Sequence, residues 1–331
     1  MLGYIIRRLV SALLVLILAS FITFALFFEG PVNQARVICD SNSRCTPERL
    51  ESIENAMGLN DGLWVNYTRF LGGLVQDREI SYGPTYQCDA PCLGISFHTR
   101  TEVTDDLKRY YPATLSLAIG GAILYLLIGI PIGILAARFR GTFLDKFTVG
   151  ASLIIASIPY YVLALAAWIL LTLKTGIFPE TGYNPITENP GLWFSGLLLP
   201  WVILGITGAP TYTRYTRGQM LEAMGEDYIR TAKAKGLGSQ TVLYKHAFRA
   251  ALVPIVTIFG LDFATLLSGT IFTEAIFGID GIGRWTIESL RPPTDFPIVN
   301  ATVLIFAVFV ILGNLIVDLL YAVLDPRVRL V

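Results

Sequence analysis

Long apolar runs recur along the chain and alternate with shorter polar segments. A membrane-spanning helix needs about 20 mostly apolar residues. Five runs without a charged residue reach that length: 9–28, 110–137, 147–173, 189–213 and 296–317. A sixth run, 250–273, is interrupted only by Asp262. Six such runs cannot share one soluble core in a chain of 331 residues. The pattern therefore predicts an all-α, multi-pass membrane protein with six spanning helices.

The first run could be mistaken for a signal peptide, because Arg7 and Arg8 precede its apolar stretch. However, the stretch is about as long as a full membrane span. It ends in FALFFEGP, which contains no small-x-small cleavage site. We expect a retained first span, so that residues 1–28 form a cytoplasmic N-terminus and the first transmembrane helix.

The distribution of Lys and Arg predicts the orientation, because cytoplasmic loops carry an excess of these residues. With the N-terminus inside, the short outer loops hold only Lys174, Arg284 and Arg291. The inner segments hold Arg7, Arg8, Arg138, Arg140, Lys146, Arg214, Arg217, Arg230, Lys233, Lys235, Lys245, Arg249, Arg327 and Arg329. Both termini are therefore expected in the cytoplasm. The net charge is zero, so bulk charge names no partner and gives no reason to expect nucleic acid.

Residues 29–109 then form a small extracytoplasmic segment. Thr46 as N-cap, Pro47 at the first helical position and Gly58 as a stop predict a short helix, and WVNYTRFLGGLV is a second possible helix. The remainder is rich in Gly, Pro and Tyr and is interpreted as loop.

All four cysteines, Cys39, Cys45, Cys88 and Cys92, fall in this outer segment. An oxidising compartment favours disulfides over free thiols. Four cysteines allow three pairings, of which the local one (Cys39–Cys45 with Cys88–Cys92) would pin two loop tips. The alternative is a metal site, since Cys88-x-x-x-Cys92 has loose ligand spacing.

Asp262 lies in the middle of the sixth run, where a charge is costly unless it faces protein or water. We expect its carboxylate to point inward and to be hydrogen-bonded, near Thr265 or Ser268 on its own helix or toward another helix. A packing or gating role is favoured over direct contact with a substrate.

A short basic segment, YIRTAKAKGLGSQTVLYKHAFRAALVP (228–254), lies between two apolar runs. Acidic residues precede the segment and basic residues lie within it, an order that complements the dipole of a helix. Gly236 stands where helices commonly end in a left-handed residue, and Ser239 is a good N-cap for a second helix. Small residues at Thr231, Ala232 and Ala234 would let a partner approach closely. Composition alone leaves two interpretations open: a docking elbow, or a basic loop that enforces topology and touches lipid head groups.

The search for a catalytic site finds no supporting pattern. The sequence contains no G-x-x-x-x-G-K-[ST], H-E-x-x-H or G-x-S-x-G motif. We therefore expect a transport or scaffolding protein that binds no cofactor and does not split ATP itself.

The basic segment resembles the EAA-type cytoplasmic loop of ABC importer permeases, in the oligopeptide/dipeptide/nickel branch of binding-protein-dependent transport systems. DYIRTAKAKG (227–236) is close to that branch's motif, with Arg230-Thr231-Ala232 at the position of Glu-Ala-Ala and Gly236 as the motif glycine. Similar segments occur over most of the chain: YIIRRLV (4–10), MGLNDGLWVNYTRFLGGL (57–74), GIPIGILAARFRGTFLD (129–145), FTEAIFGIDGIGRW (272–285), DFPIV (295–299) and NLIVDLLYAVLDPRVR (314–329). The parts around 37–46 and 86–98, which carry the cysteines, look like embellishments.

The resemblance implies the transmembrane subunit of a type I ABC importer, with a permease core over 110–331 and a coupling loop at about 214–250. Its implied partners are a sister permease, two ATPase subunits or a fused pair, an extracytoplasmic solute-binding protein and membrane lipid. ATP and Mg²⁺ would be bound by the ATPases, in a prokaryotic plasma membrane. The residues expected to contact an ATPase are Asp227, Tyr228, Arg230, Thr231, Ala232, Lys235, Gly236 and Leu237.

The cargo that the resemblance favours is a peptide, with nickel and glutathione as alternatives in the same branch. Two other classes of protein are also considered. An ion-coupled carrier or channel would need no ATPase, and a membrane scaffold would show no substrate-dependent stimulation of an ATPase.

Overall fold

The computed structural model describes residues 2–30, 33–42, 45–82, 84–267 and 270–324, with side chains omitted at 2–5, 41–42 and 316–324. The chain divides into two compact units, Met1–Pro112 with Gly281–Ile311 and Ala113–Asp280 with Leu312–Val331. Each unit is described separately. The structure is mostly helical, as the apolar runs predict.

The first unit contains α1 (Leu2–Phe28), α2 (Gln34–Asn42), α3 (Pro47–Met57), a 3₁₀ turn (Leu59–Asp61), α4 (Leu63–Gly73), β1 (Arg78–Ser81), β2 (Thr85–Cys88) and α13 (Ile282–Leu290). Helix α5 (Val103–Arg138) begins in this unit and so does α14 (Phe296–Leu324). Both helices predicted in the outer segment are present. The Thr46 hydroxyl accepts from the Arg49 N–H at 3.4 Å, and Gly58 ends α3 with φ 68°.

Two further elements of the outer segment were wrongly assigned to loop. They are α2 and a two-stranded antiparallel hairpin that pairs Arg78 with Cys88 and Ser81 with Thr85. Each is too short to carry a strong periodic signal. The hairpin is also a small exception to the all-α prediction.

Two disulfides, Cys39–Cys45 and Cys88–Cys92, lie in the apolar core of this unit. Cys39, Cys88 and Cys92 are fully buried there beside Tyr82, Phe97 and Phe296. The structure thus has the local pairing. Because the four sulfurs are bonded in pairs, none is a metal-binding thiolate.

The second unit contains most of α5, then α6 (Phe143–Ser157), α7 (Tyr160–Ala167), a π-helix (Trp168–Lys174), α8 (Pro190–Gly225), α9 (Asp227–Ala234), α10 (Ser239–Thr241), a π-helix (Val242–Phe248), α11 (Arg249–Leu267) and α12 (Ile271–Phe277). Helices α5 and α8 approach closely at glycines. A Cβ atom on Gly120 would overlap the Trp201 ring, and one on Gly129 would lie 2.7 Å from the Tyr212 Cβ. These glycines therefore serve close helix packing.

Five described helices are long and apolar enough to cross a membrane, and the number is six if a bent pair is one span. That pair is α6 with the helix from Tyr160 to Lys174, which bends by 88° at Pro159. The apolar run 147–173 is therefore a bent pair of helices and not one continuous helix. The run 250–273 also differs from prediction, since its helix ends at Leu267 and α12 begins at Ile271.

Candidate functional site

The basic segment folds as a protruding elbow between α8 and α11. Helix α8 ends at Gly225, and Glu226 turns the backbone into an extended conformation with ψ 150°. Helix α9 then begins at Asp227, an acid in the first turn, and Lys233 lies in its last turn. This charge order favours a helix of only eight residues, because it complements the dipole at both ends.

Two residues anchor the elbow to its own unit. Within residues 225–241, all of which the structure describes, only Ile229 and Ala232 are buried. They are three residues apart and so lie on one face of α9. They pack in a cluster that also includes Val242, Leu243 and Ala247 from the following π-helix.

The remaining surface of α9 is exposed and positively charged. Arg230, Lys233 and Lys235 are all exposed, and the side chain of Tyr228 is 44% exposed. Arg230 makes an ion pair with Asp227 at 3.3 Å, but both side chains are solvated, so this pair adds little stability. Partial burial, with a smaller effect of Glu226, raises the pKa of the Tyr228 phenol, and a tyrosine is neutral at physiological pH even without such a shift.

Ala232 is the one predicted partner-facing residue that the structure does not leave on the surface. It was grouped with Thr231 and Ala234 as a small residue open to a partner, but its side chain is 7% exposed and faces the core cluster. Its small size serves the approach of α9 to its own unit. Thr231 remains exposed, and its hydroxyl donates to the Asp227 carbonyl at 3.0 Å.

The corner of the elbow is built by Gly236. The Gly236 N–H donates to the Lys233 carbonyl at 3.0 Å, and the Leu237 N–H donates to the Ala232 carbonyl at 3.3 Å. These bonds use the free carbonyls at the helix end and need a left-handed residue. Gly236 supplies it with φ 78°, as the sequence predicts. Leu237 follows and is 41% exposed.

The second helix begins differently from the prediction. Gly238 occupies the N-cap position without a side-chain hydrogen bond, and Ser239 is the first helical residue. The assignment of Ser239 as N-cap is therefore wrong by one position. The chain continues through a π-helix, in which Lys245 is exposed, directly into α11.

Asp262 is half-buried and hydrogen-bonded to another helix, as predicted. The Tyr212 hydroxyl donates to the Asp262 Oδ2 at 2.8 Å, and the Tyr212 ring stacks on Tyr125 with centroids 4.8 Å apart. On its own helix, the Thr265 hydroxyl donates to the Asp262 backbone carbonyl. Ser268, the other expected neighbour, lies outside the described residues.

Sequence reasoning missed three buried acids, Asp145, Glu274 and Asp295, and one anchor. Asp295 is fully buried and accepts from the Ser96 hydroxyl at 2.6 Å. Asp145 accepts a hydrogen bond from Arg217 at 2.9 Å and one from the Gly141 N–H at 2.9 Å, which ties the α5–α6 turn to α8. Glu274 is fully buried and accepts from the Thr114 hydroxyl at 2.8 Å. The side-chain partners of these acids are distant in sequence, so no local pattern marks the acids as buried. Ile229 could have been found, since it is the one large aliphatic residue in α9.

Comparison with known proteins identifies the class of membrane protein to which these helices and the elbow belong. Residues 129–330 match the family described as the binding-protein-dependent transport system inner membrane component, and residues 1–118 match its N-terminal part. The chain belongs to this family. It is a multi-pass inner-membrane permease subunit of an ABC importer, a class that works with a substrate-binding protein and an ATPase.

The chain is similar over nearly its whole length to several permeases. It is 34% identical to the dipeptide transport system permease protein DppB of Escherichia coli K12, with 99% of each chain covered. It is 33% identical to DppB of Alkalihalophilus pseudofirmus, with 99% of this chain and 100% of that protein covered. It is 32% identical to a probable peptide ABC transporter permease of Sinorhizobium fredii, with 98% and 99% covered.

A solved structure supports the fold. The chain resembles an inward-facing conformation of the MetNI methionine ABC transporter, with a TM-score of 0.55 at 19% identity. The match covers 67% of this chain and 97% of that one. At this identity the likeness concerns the fold alone.

Proposed function

We propose that this permease takes up peptides, and that the elbow over 228–238 couples it to a cytoplasmic ATPase. The observation that carries the cargo is the identity of about one third, over nearly the whole chain, to permeases named for dipeptides or peptides. The permease forms half of the translocation pathway beside a sister subunit. Two ATPase subunits or a fused pair bind ATP and Mg²⁺, and a solute-binding protein delivers cargo from outside.

The geometry of α9 supports the coupling role. A helix of eight residues is too short to be stable in water alone. Helix α9 nevertheless exposes almost all of its surface, and only Ile229 and Ala232 anchor it to its own unit. Tyr228 and Arg230 on α9 and Leu237 after the Gly236 corner are exposed, and Tyr and Arg are enriched at the centres of interfaces. Such a surface suits a groove on a partner better than a loop that merely fixes topology.

The proposed arrangement in the membrane follows from the charge bias. Both termini and the elbow lie in the cytoplasm. Residues 1–28 contribute the N-terminus and first span, 29–109 an ectodomain stapled by two disulfides, and 110–331 the permease core. Asp262 is a packing or gating residue inside the bundle, since its carboxylate is used by Tyr212 on a neighbouring helix.

Transport by the complete complex tests the cargo. The permease pair, its ATPase and its binding protein are reconstituted in proteoliposomes, and uptake of Ala-Phe, nickel and glutathione is compared with and without ATP. We expect ATP-dependent uptake of the dipeptide alone. The matched control is a complex whose ATPase binds ATP but cannot hydrolyse it. Uptake of nickel or glutathione instead would replace the cargo, and uptake without ATP would point to a carrier or channel.

A further inference from the structure

A cavity of about 590 Å³ lies in the first unit, among the end of α1, helix α4, strand β1 and the start of α14. Its volume is in the range of small-molecule sites, which are mostly apolar with a few placed polar groups.

Arg78 is a cation held in place at this cavity. Its Nε donates to the Cys92 Sγ at 3.0 Å, and a second nitrogen donates to the Arg69 carbonyl at 3.4 Å. The guanidinium lies 5.9 Å from the centre of the Phe70 ring. A Cβ atom on Gly73 would lie 2.6 Å from the Arg78 Nε, so the glycine is what lets this side chain lie across α4. These contacts therefore hold the Arg78 side chain in a fixed position at the cavity.

Arg78 forms no ion pair with a carboxylate among the described residues. Burial lowers the pKa of its guanidinium, yet an arginine stays protonated in proteins. An arginine has five N–H donors, and the two bonds above leave donors available for a carboxylate or phosphate.

Three acids line the cavity, and none of them forms an ion pair with Arg78 in the described part of the chain. Asp61 is paired with Arg69, and Asp77 accepts the Ala90 N–H at 2.8 Å. Glu79 follows Arg78 in strand β1, and successive side chains of a strand point to opposite faces. Arg78 is thus the cation that the cavity offers to an anion.

Asn300 supplies a second, independent sign of a ligand. Its side chain is 8% exposed and borders the cavity, and its Oδ1 is buried without a hydrogen-bond partner in the described part of the chain. Buried polar atoms are nearly always paired, and an unpaired one needs an explanation. An N–H or O–H donor from a bound molecule would provide it.

The walls of the cavity are phenylalanine rings. The ring centroids of Phe24 and Phe70 are 5.6 Å apart, and those of Phe27 and Phe296 are 5.3 Å apart. The ring centroid of Phe97 lies 6.1 Å from that of Phe296. Such rings favour an apolar side chain over a purely polar molecule.

We infer that this cavity binds the carboxyl-terminal end of a short peptide. The carboxylate lies on Arg78, which can hold it through two parallel hydrogen bonds. An N–H of the peptide donates to the Asn300 Oδ1, and an apolar side chain packs among the phenylalanine rings. An anion without an N–H or O–H group would satisfy Arg78 but not Asn300. The choice of a peptide among amino-containing carboxylates rests on the proposed cargo.

Direct binding tests this inference. The complete permease–ATPase complex, without binding protein and without ATP, is placed in phosphatidylcholine nanodiscs and titrated calorimetrically with Ala-Phe or its carboxyl-terminal amide. The variants are Arg78→Gln and Asn300→Leu, and Arg36→Gln is the matched control, because Arg36 is an exposed arginine outside the cavity. We expect Arg78→Gln, Asn300→Leu and the amide each to weaken binding at least tenfold, and Arg36→Gln to leave it unchanged.

Several results would overturn the inference. They are equal binding of acid and amide, wild-type affinity in Arg78→Gln, or no binding of Ala-Phe to the unaltered complex at millimolar concentration. Phosphatidylglycerol that displaces the peptide and is itself released by Arg78→Gln would assign the cavity to a lipid head group instead. Thermal melts check that each variant is folded. If Arg78→Gln does not fold, binding of Ala-Phe by Asn300→Leu decides the test.

Uptake measured on the same preparation separates this inference from the proposed function. ATP-driven uptake of Ala-Phe by a complex whose cavity binds no peptide would sink the inference and leave the cargo intact. Binding of Ala-Phe at the cavity without ATP-driven uptake would contradict the proposed cargo and support the inference about the cavity.

Discussion

Gly236→Val is expected to leave the permease inserted and assembled while ATP hydrolysis no longer drives uptake. Gly236 has φ 78°, and a Cβ atom there would meet nothing within 4 Å. The effect therefore comes from the backbone alone. A non-glycine residue in this region costs on the order of 1–3 kcal/mol, most for a β-branched one, and 1.4 kcal/mol is a factor of about 10 in population. We expect uptake per ATP hydrolysed to fall about tenfold or more.

Gly238→Val is the matched control. Gly238 lies two residues further along the same elbow, and its surroundings are equally open. Its backbone is extended, with φ −61° and ψ 147°, which valine adopts readily. Uptake and hydrolysis should stay coupled in this variant. Coupled uptake by Gly236→Val, or equal loss in both variants, would show that the left-handed corner is not what transmits the motion.

Ile229→Ala is expected to release α9 from its unit and to abolish coupling. The side chain of Ile229 is fully buried in the cluster with Val242, Leu243 and Ala247. Removing it costs about 2–5 kcal/mol, and a helix this short does not persist without such an anchor. Hydrogen exchange should speed up at the amides of 229–234, and uptake should fall with it.

Two variants separate anchoring from contact with the ATPase. Ile229→Val costs only about 0.5–1.5 kcal/mol and should retain most uptake. Tyr228→Ala removes an exposed ring and should weaken binding of the ATPase without faster exchange in α9. Normal exchange and normal uptake in Ile229→Ala would refute the anchoring role.

The sequence was sufficient to predict structural features that depend only on neighbouring residues. The Thr46 cap, the Gly58 stop and the left-handed Gly236 each depend on neighbours within a few residues, and the structure has all three. Apolar length was likewise sufficient for most spans.

Features decided by distant partners could not be predicted. An apolar run with a proline fits a straight, kinked or broken helix alike, and only packing selects the 88° bend at Pro159. Ala232 looks the same in sequence whether it faces a partner or its own core. Glu274 and Asp145 can be buried because they accept hydrogen bonds from Thr114 and Arg217, which are far from them in the sequence.

Photo-crosslinking from position 228 tests the central claim most directly. A photoreactive phenylalanine analogue replaces Tyr228 in the complete complex, and its adducts are identified by mass spectrometry. The control places it at Val75, which is 79% exposed in the proposed ectodomain. The account predicts an adduct with the ATPase from position 228 and none from position 75. An ATPase adduct from position 75, or only lipid adducts from position 228, would contradict it.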